Sequence, residues 1–333
     1  MIADSSVVQR SACNSLAVYA ALLLSLLGAS PTAAQDYPTR PIRLIVAFSP
    51  GGTTDFVARI VAEKAGTMLG QTVVVENKPG ANGAVAADLV MRSEPDGYTL
   101  FFTTLGAMAI NPTLKSNLSY NPRTDFEPVA MVARNTILLA VNSASATTTF
   151  NDFVALTKSK KSVSVGVTGI GAATYLSAIL LQKALATKLE IVPYRGASQA
   201  LTDLLGGHID AMFGDIPVLL ASIKAGKARA LVSASSTRVG ALPDVPTFAE
   251  LGFPDVLAEN WAGVVAPAHT PPAVVSKLGA ILGGVMENQT ILHQLALAGV
   301  TPAPTDAQKF QTIISGDIER WGRIIRENGL RTD

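Results

Sequence analysis

The stretch Ser49-Pro50-Gly51-Gly52-Thr53-Thr54-Asp55 lies between an apolar run and a helical pattern, and it offers a ligand mainly bare backbone. Related turns recur at Asn77-Lys78-Pro79-Gly80-Ala81-Asn82-Gly83, Thr168-Gly169-Ile170-Gly171-Ala172, Tyr194-Arg195-Gly196-Ala197-Ser198 and Gly214-Asp215-Ile216-Pro217. Glycine has no Cβ, so a ligand can approach the chain closely there. A helix start leaves unpaired N–H groups and a partial positive charge, which suits a carboxylate or phosphate without any Lys or Arg. One such turn is adequately explained by capping through Thr53, Thr54 or Asp55. Facing turns from two lobes point instead to an anion held between them. Lys78 and Arg195 are the only cations in these turns, and each reads as a surface or lobe-contact charge.

Signals for catalysis and cofactors are weaker. Gly169-Ile170-Gly171 follows a strand pattern, but the third glycine of a dinucleotide fingerprint would fall at Thr174. Gly196-Ala197-Ser198-Gln199-Ala200 only approaches a nucleophile elbow, with Ser198 as the nucleophile, and the three histidines His208, His269 and His293 give it no evident base. No His and carboxylate spacing suggests a metal. The expectation is a protein without catalysis, cofactor or metal, with a Ser198-dependent hydrolase as the remote alternative. Trp261 and Trp321 read as packing residues, Trp261 having a modest claim on the cleft.

Strand-then-helix alternation must position these turns. It runs through Leu44 to Phe48 with Asp55 to Ala65, Val73 to Glu76 with Gly83 to Met91, and Thr99 to Thr103 with a looser segment. It restarts at Ser162 to Val167 and continues to Ala234, the pattern of a parallel α/β sheet. Two such blocks predict two α/β lobes, joined by the β-branched run from residue 126 to residue 143 and by a Pro-rich return path. Three C-terminal helical patterns have no strands of their own and are expected to pack on the first lobe. The expected limits are 1–34 for an export signal, 35–133 with 241–333 for lobe 1, and 134–240 for an inserted lobe 2.

The chain has 333 residues, 48% hydrophobic and 15% charged, with a formal charge of +1. That length buries a large core, and that charge offers no broad footprint for nucleic acid. Arg10, the apolar run Leu16 to Leu27 and the small residues Ala29 to Ala34 read as a signal cleaved near Ala34/Gln35. An N-terminal anchor is the alternative, but the run is shorter than the roughly 20 residues needed to span a bilayer. Cys13, the only cysteine, precedes that run, so the mature chain is expected to lack disulfides and a lipid anchor. An oxidising compartment such as the periplasm fits.

The blocks "YPTRPIRLIVAFSPGGTTDFVAR", "VVVENKPGANGAVAADLV", "PDGYTLFFTT", "VPYRGASQALTDLLGGHIDAMF", "IKAGKARALVSASSTR" and "LPDVPTFAELGF", in this order, resemble the Bug (TctC-like) family. These are periplasmic substrate-binding proteins of tripartite tricarboxylate transporters. The resemblance implies a type II periplasmic binding-protein fold that closes on a small organic carboxylate and offers it to membrane transporter subunits, as a monomer. A ligand sensor working with a partner such as a sensor kinase is the alternative. Carried over by position, one pincer comprises Phe48, Pro50, Gly51, Gly52, Thr53 and Asp55, with Thr104 nearby. The other comprises Gly169, Gly171, Ala172 and Ala173, with Tyr194, Gly196 and Asp215 along the wall. Family members often read Gly-Ser-x-x-His-Leu where this chain has Gly171-Ala172-Ala173-Thr174-Tyr175-Leu176, which removes a hydroxyl and an imidazole but leaves the backbone donors.

Overall fold

The computed structural model describes residues 37–331; the expected export signal, with Cys13 and the Ala34/Gln35 cleavage point, lies outside them. The chain divides after Thr39, and every element below belongs to the unit that begins at Arg40.

Strand β1 (Ile42–Val46) leads into helix α1 (Thr53–Leu69), followed by β2 (Val73–Asn77), α2 (Ala84–Met91) and β3 (Thr99–Thr104). β1 pairs in parallel with both β2 and β3, as helical crossovers require. Val57, Ala58, Val61, Ala62 and Ala65 recur at helical spacing on α1 and are buried, so one stripe of the helix covers the sheet. The looser segment after β3 becomes a π-turn, Gly106–Ile110, and a short helix α3, Asn111–Leu114.

The apolar run found between the two blocks forms one strand, β4 (Phe126–Asn142), buried along most of its length. From Phe126 to Thr136 it pairs antiparallel with β9 (Glu259–Pro267), which also pairs with β3 and so completes the first sheet. From Ile137 onward it pairs instead with β7 (Ala211–Asp215) and β8 (Ala228–Ser233). Strand β5 (Val163–Val167) joins β7 and β6 (Leu189–Pro193) in parallel, so the second lobe repeats the grammar of the first. Helices α4 (Phe150–Ser159), α5 (Ala173–Ala184), α6 (Ala197–Leu205) and α7 (Ile216–Lys224) belong to this second lobe. The result is two α/β lobes threaded by one continuous strand.

Strand β4 changes partners between Thr136 and Ile137, slightly later in the chain than the expected 133/134 limit. The Pro-rich return segment lies on the second lobe rather than the first: Thr247 bridges Ser233, while Phe248 and Phe253 meet the Phe150 ring edge-on. These aromatics need apolar cover, and the second lobe supplies it. The chain crosses back at the hinge, where Ala234 N–H donates to Ile137 O and Ala258 N–H to Ala234 O. The C-terminal helices α8 (Pro272–Glu287), α9 (Gln289–Leu297) and α10 (Ala307–Glu327) follow, with strand β10 (Val300–Pro302) between α9 and α10 pairing with β4. α8 packs on β4 and α1, and α10 on β4 and the π-turn, both on the first lobe.

Candidate functional site

Strands β1, β3, β5, β6 and β7 all deliver their carboxyl ends to the seam between the lobes, the position at which open α/β sheets gather ligands. A cavity of about 150 Å³ lies in that seam. Of the residues carried over from the resemblance, Phe48, Pro50, Gly52, Thr53 and Thr104 line it from the first lobe, and Ala172, Ala173, Gly196 and Asp215 from the second. An adjoining chamber of about 570 Å³ shares Phe48, Asn82 and Thr168 with the cavity and is lined also by Gly169, Tyr194, Lys115 and Arg195. Gly51, Gly171 and Asp55 line neither space.

Four helices start at the cavity wall: α1 behind Gly52, α5 behind Ala172, α6 behind Gly196 and α7 behind Asp215. None has a side-chain cap bond at its first turn. Elsewhere α4 is closed by a Thr149/Asp152 capping box, α9 by Asn288 and α10 by Asp306, while α2 and α8 start without such a bond but do not line the cavity. A side-chain cap takes one of the first-turn N–H groups that an anion could otherwise use. The cleft-facing helices make no such bond, although α7 lacks the N–H of Pro217, and their partial charges converge on one small space.

Asp55 is 4% exposed and sits behind the first-lobe loop. Its carboxylate accepts from Gly51 N–H at 3.0 Å, Arg59 Nε at 3.0 Å and Asn77 Nδ2 at 2.9 Å. Asn77 Nδ2 also donates to Phe48 O at 2.9 Å. Burial on its own would raise the Asp55 carboxyl, but the bonds from Arg59, Asn77 and Gly51 outweigh it and hold the group below its ordinary range. Asp55 therefore shapes the loop that would grip a ligand and does not itself face the cavity.

The two lobes are in contact across the seam. Asn82 Nδ2 donates to Gly171 O at 2.6 Å, and Ser198 Oγ donates to Gly51 O at 3.3 Å. The Asn82 side chain is held through its Nδ2, and its backbone is held as well. The residue has φ 54, its Nδ2 also donates to Asn111 Oδ1, and Asn111 Nδ2 returns a bond to Asn82 O. A left-handed conformation at a non-glycine residue costs energy that the surroundings must supply. Gly106 permits the arrangement, because a Cβ there would lie 2.6 Å from the Asn82 amide.

Several polar atoms lining the cavity have no partner in the protein. They are Thr53 Oγ1, Asn82 Oδ1, Asp215 Oδ1 and Asn260 Oδ1. Buried polar atoms are nearly always paired, so this cluster has the character of a binding wall. Burial pushes the Asp215 carboxyl up to about 7, with the Asn260 side chain pulling the other way. Tyr194 donates its hydroxyl to Asp203 at 2.6 Å; burial first, then Asp203, pushes the phenol up to about 12.

Sequence reasoning overlooked Asn260, Thr174 and Gln199, all of which line the cavity. It considered Trp261 instead, but side chains alternate along a strand. Trp261 points into the core, donating to Asp317 at 2.8 Å and meeting Phe310 edge-on, while its neighbour Asn260 faces the cleft. The hydroxyl missing at Ala172 has a counterpart in Thr174, whose Oγ1 accepts from Thr168 N–H at 3.0 Å. Tyr175 is half-buried against the core and does not line the cavity. Ser198 lines it, and no histidine among the described residues lines either space.

A family model described as TctC, tripartite tricarboxylate transporter family receptor, matches residues 57–330. Protein BugT of Bordetella pertussis is 33% identical over 305 residues, covering 91% of this chain and 94% of that protein. Among solved structures, the periplasmic binding protein BugD superposes with a TM-score of 0.85 at 32% identity, over 89% of this chain and all of that one. MatC from Rhodopseudomonas palustris, solved with bound malate, gives 0.82 at 31% identity over 87% of this chain and all of MatC. A second R. palustris protein, solved with adipate, gives 0.85 at 30% identity over 89% of this chain and 99% of that one.

Proposed function

This chain belongs to the tripartite tricarboxylate transporter receptor family, and from that premise we propose that it is a periplasmic receptor which closes on one small organic carboxylate. It then offers the closed complex to the membrane subunits of such a transporter. The observation that carries this reading is the convergence of four helix starts without side-chain caps on one small cavity between the lobes. In it a ligand carboxylate lies against the first turns of α1 and α5, with Gly196 and Asp215 along the wall. The malate and adipate bound by two relatives are acids of the class such donors take.

Recognition is then largely a matter of backbone. Each charge-assisted hydrogen bond is worth roughly 1.5 to 3 kcal/mol. Several of them, less the cost of immobilising the ligand and closing the lobes, give affinities near the micromolar scale, about −8 kcal/mol. The ligand bridges both lobes, shifts the population towards the closed form and needs no chemical step. The lobe limits that go with this reading are 40–136 with 259–331 for the first and 137–258 for the second, and export with cleavage near Ala34/Gln35 completes it.

The test is a thermal-shift screen of the chain from Gln35 onward against mono-, di- and tricarboxylates and their matched amides. A ligand at a hundred times its dissociation constant adds about 2.7 kcal/mol of stability, a visible rise in Tm. Stabilisation by acids and not by their amides is the expected result. Stabilisation by amides alone, or by nothing in the panel with the protein folded, defeats the reading.

A further inference from the structure

Among the described residues, Asp215 is the one ionisable side chain that lines the cavity. It ends β7 and occupies the N-cap position of α7, yet makes no side-chain cap bond there. Pro217, at the second helical position, lacks one of the N–H groups that such a cap would take. The residue is 8% exposed, and its Oδ1 has no hydrogen-bond partner. A carboxylate in this position would be a buried charge without a counter-ion.

Its surroundings supply no compensating charge. On β4 its register partner is Ile137, and on β9 its polar neighbour is Asn260. Its own helix continues as Ile216 and Pro217, and the cavity wall opposite is built from Thr53, Thr104 and glycine-bearing turns. Glu259, next to Asn260, pairs with Arg134 at 3.6 Å. Lys115, Arg195 and Tyr194 belong to the adjoining chamber, and Tyr194 is bonded to Asp203. The burial that lifts this carboxyl acts before any ligand arrives. An anion drawn to the helix starts would share about 150 Å³ with it, and of two like charges in one small space one has its pKa raised strongly.

We infer that Asp215 is a specificity residue which carries a proton in the loaded receptor and donates it in a hydrogen bond to an acceptor on the bound acid, so that the ligand is captured as an anion together with one proton. This rests on the reading of the cleft as a carboxylate site. No covalent bond to the ligand forms or breaks. The proton comes from solvent when the empty receptor is ionised at Asp215 and returns to solvent when the ligand leaves. The favoured ligands are acids that present an oxygen acceptor to Asp215. A ligand with an ammonium group at that end would pair with the ionised form and take up no proton.

The experiment is calorimetric titration of the mature chain with malate and with adipate, whose own carboxyls stay ionised, from about pH 6.5 to about pH 9. In the wild type the affinity is expected to be level at the acid end and to fall by up to tenfold per pH unit above neutrality. Heats that depend on the buffer's ionisation will report the proton taken up. Asp215→Asn, which is neutral at every pH and still a donor, is expected to raise the affinity at pH 9 and remove both the slope and the buffer dependence. A carbon-13 titration of the Asp215 carboxyl in the empty wild type requires no variant and is expected to place its midpoint near neutrality. Binding with a flat or rising pH profile, or an Asp215 midpoint in the ordinary carboxylate range, overturns this inference and leaves the receptor reading intact. Absence of binding to either acid and to the whole carboxylate panel, at every pH, overturns both.

Discussion

Asp55 lies behind the first-lobe loop with its carboxylate taken up by Gly51, Arg59 and Asn77. An aspartate in the first turn of α1 was visible in the sequence, as was Arg59 four residues on, but its bond to Asn77 depends on how β2 lies beside β1 and cannot be read along the chain. Asp55→Asn keeps the shape and loses the charge that gathers these donors. Affinity for a bound acid should fall at least tenfold, about 1.4 kcal/mol, in calorimetry on the folded variant. The depressed carboxyl of Asp55 also contributes stability above its unfolded pKa of about 4, lost as pH falls through the folded value. Asp215 has the opposite sign. Its raised pKa gives a contribution that is complete below about pH 4 and is lost as pH rises towards about 7. The wild type should therefore lose stability relative to Asp215→Asn across that window, by at most about 4 kcal/mol, with a constant gap above it; chemical denaturation at stepped pH checks this.

The helices and strands were largely legible because their periods are strong. Helix α1 starts two residues before the expected Asp55 and runs on to Leu69, and the three C-terminal helical patterns become α8, α9 and α10. Helix α4 was overlooked although Thr149 and Asp152 spell out its capping box, because only Phe150, Phe153 and Thr157 are buried and its apolar stripe is thin. Strand β10 was missed for another reason: three residues show no period, and only the pairing with β4 makes them a strand. At the cleft, sequence could say that helices begin and not whether their first turns are capped. A proline at the first helical position separates the two roles of such an end. Ala173→Pro fits the helix start, and Ala172, with φ −72 and ψ 161, already has the extended backbone that precedes proline. The fold and Tm should be nearly unchanged while one N–H donor disappears. Affinity for a bound acid should drop by about 1.5 to 3 kcal/mol, on the order of ten- to a hundredfold, by calorimetry.

In the molecule as a whole, β4 and the crossing at Ala234 and Ala258 tie the lobes together at the hinge, and Asn82 with Gly171 joins them across the seam. Gly171 has φ +86, and a Cβ placed on it would come 2.7 Å from Leu114 Cδ2 of the first lobe. Gly171→Ala should therefore strain the second-lobe turn and crowd Leu114 and the Asn82 amide across the seam, so that the lobes close less readily. The expected outcome is at least a tenfold loss of affinity and, in small-angle scattering, a failure to contract when an acid that compacts the wild type is added. A compact, tightly binding variant would show that closure tolerates the extra methyl group. The two-lobe plan was readable from the repeated βα grammar, whereas the sheet change at Thr136 and Ile137 lies inside an uninterrupted β-branched run, where no residue type marks it.

The uncapped helix starts have one more consequence, for how such a receptor can change over generations. Their donors are peptide groups, and a codon change at Thr53, Ala173 or Ala197 leaves the peptide in place unless it introduces proline. Substitutions at those three positions thus keep the donors that hold a carboxylate, while Thr174, Gln199, Asp215 and Asn260 on the surrounding wall can be exchanged one at a time. A lineage built on this cleft can trade one acid for another without passing through a form that holds none.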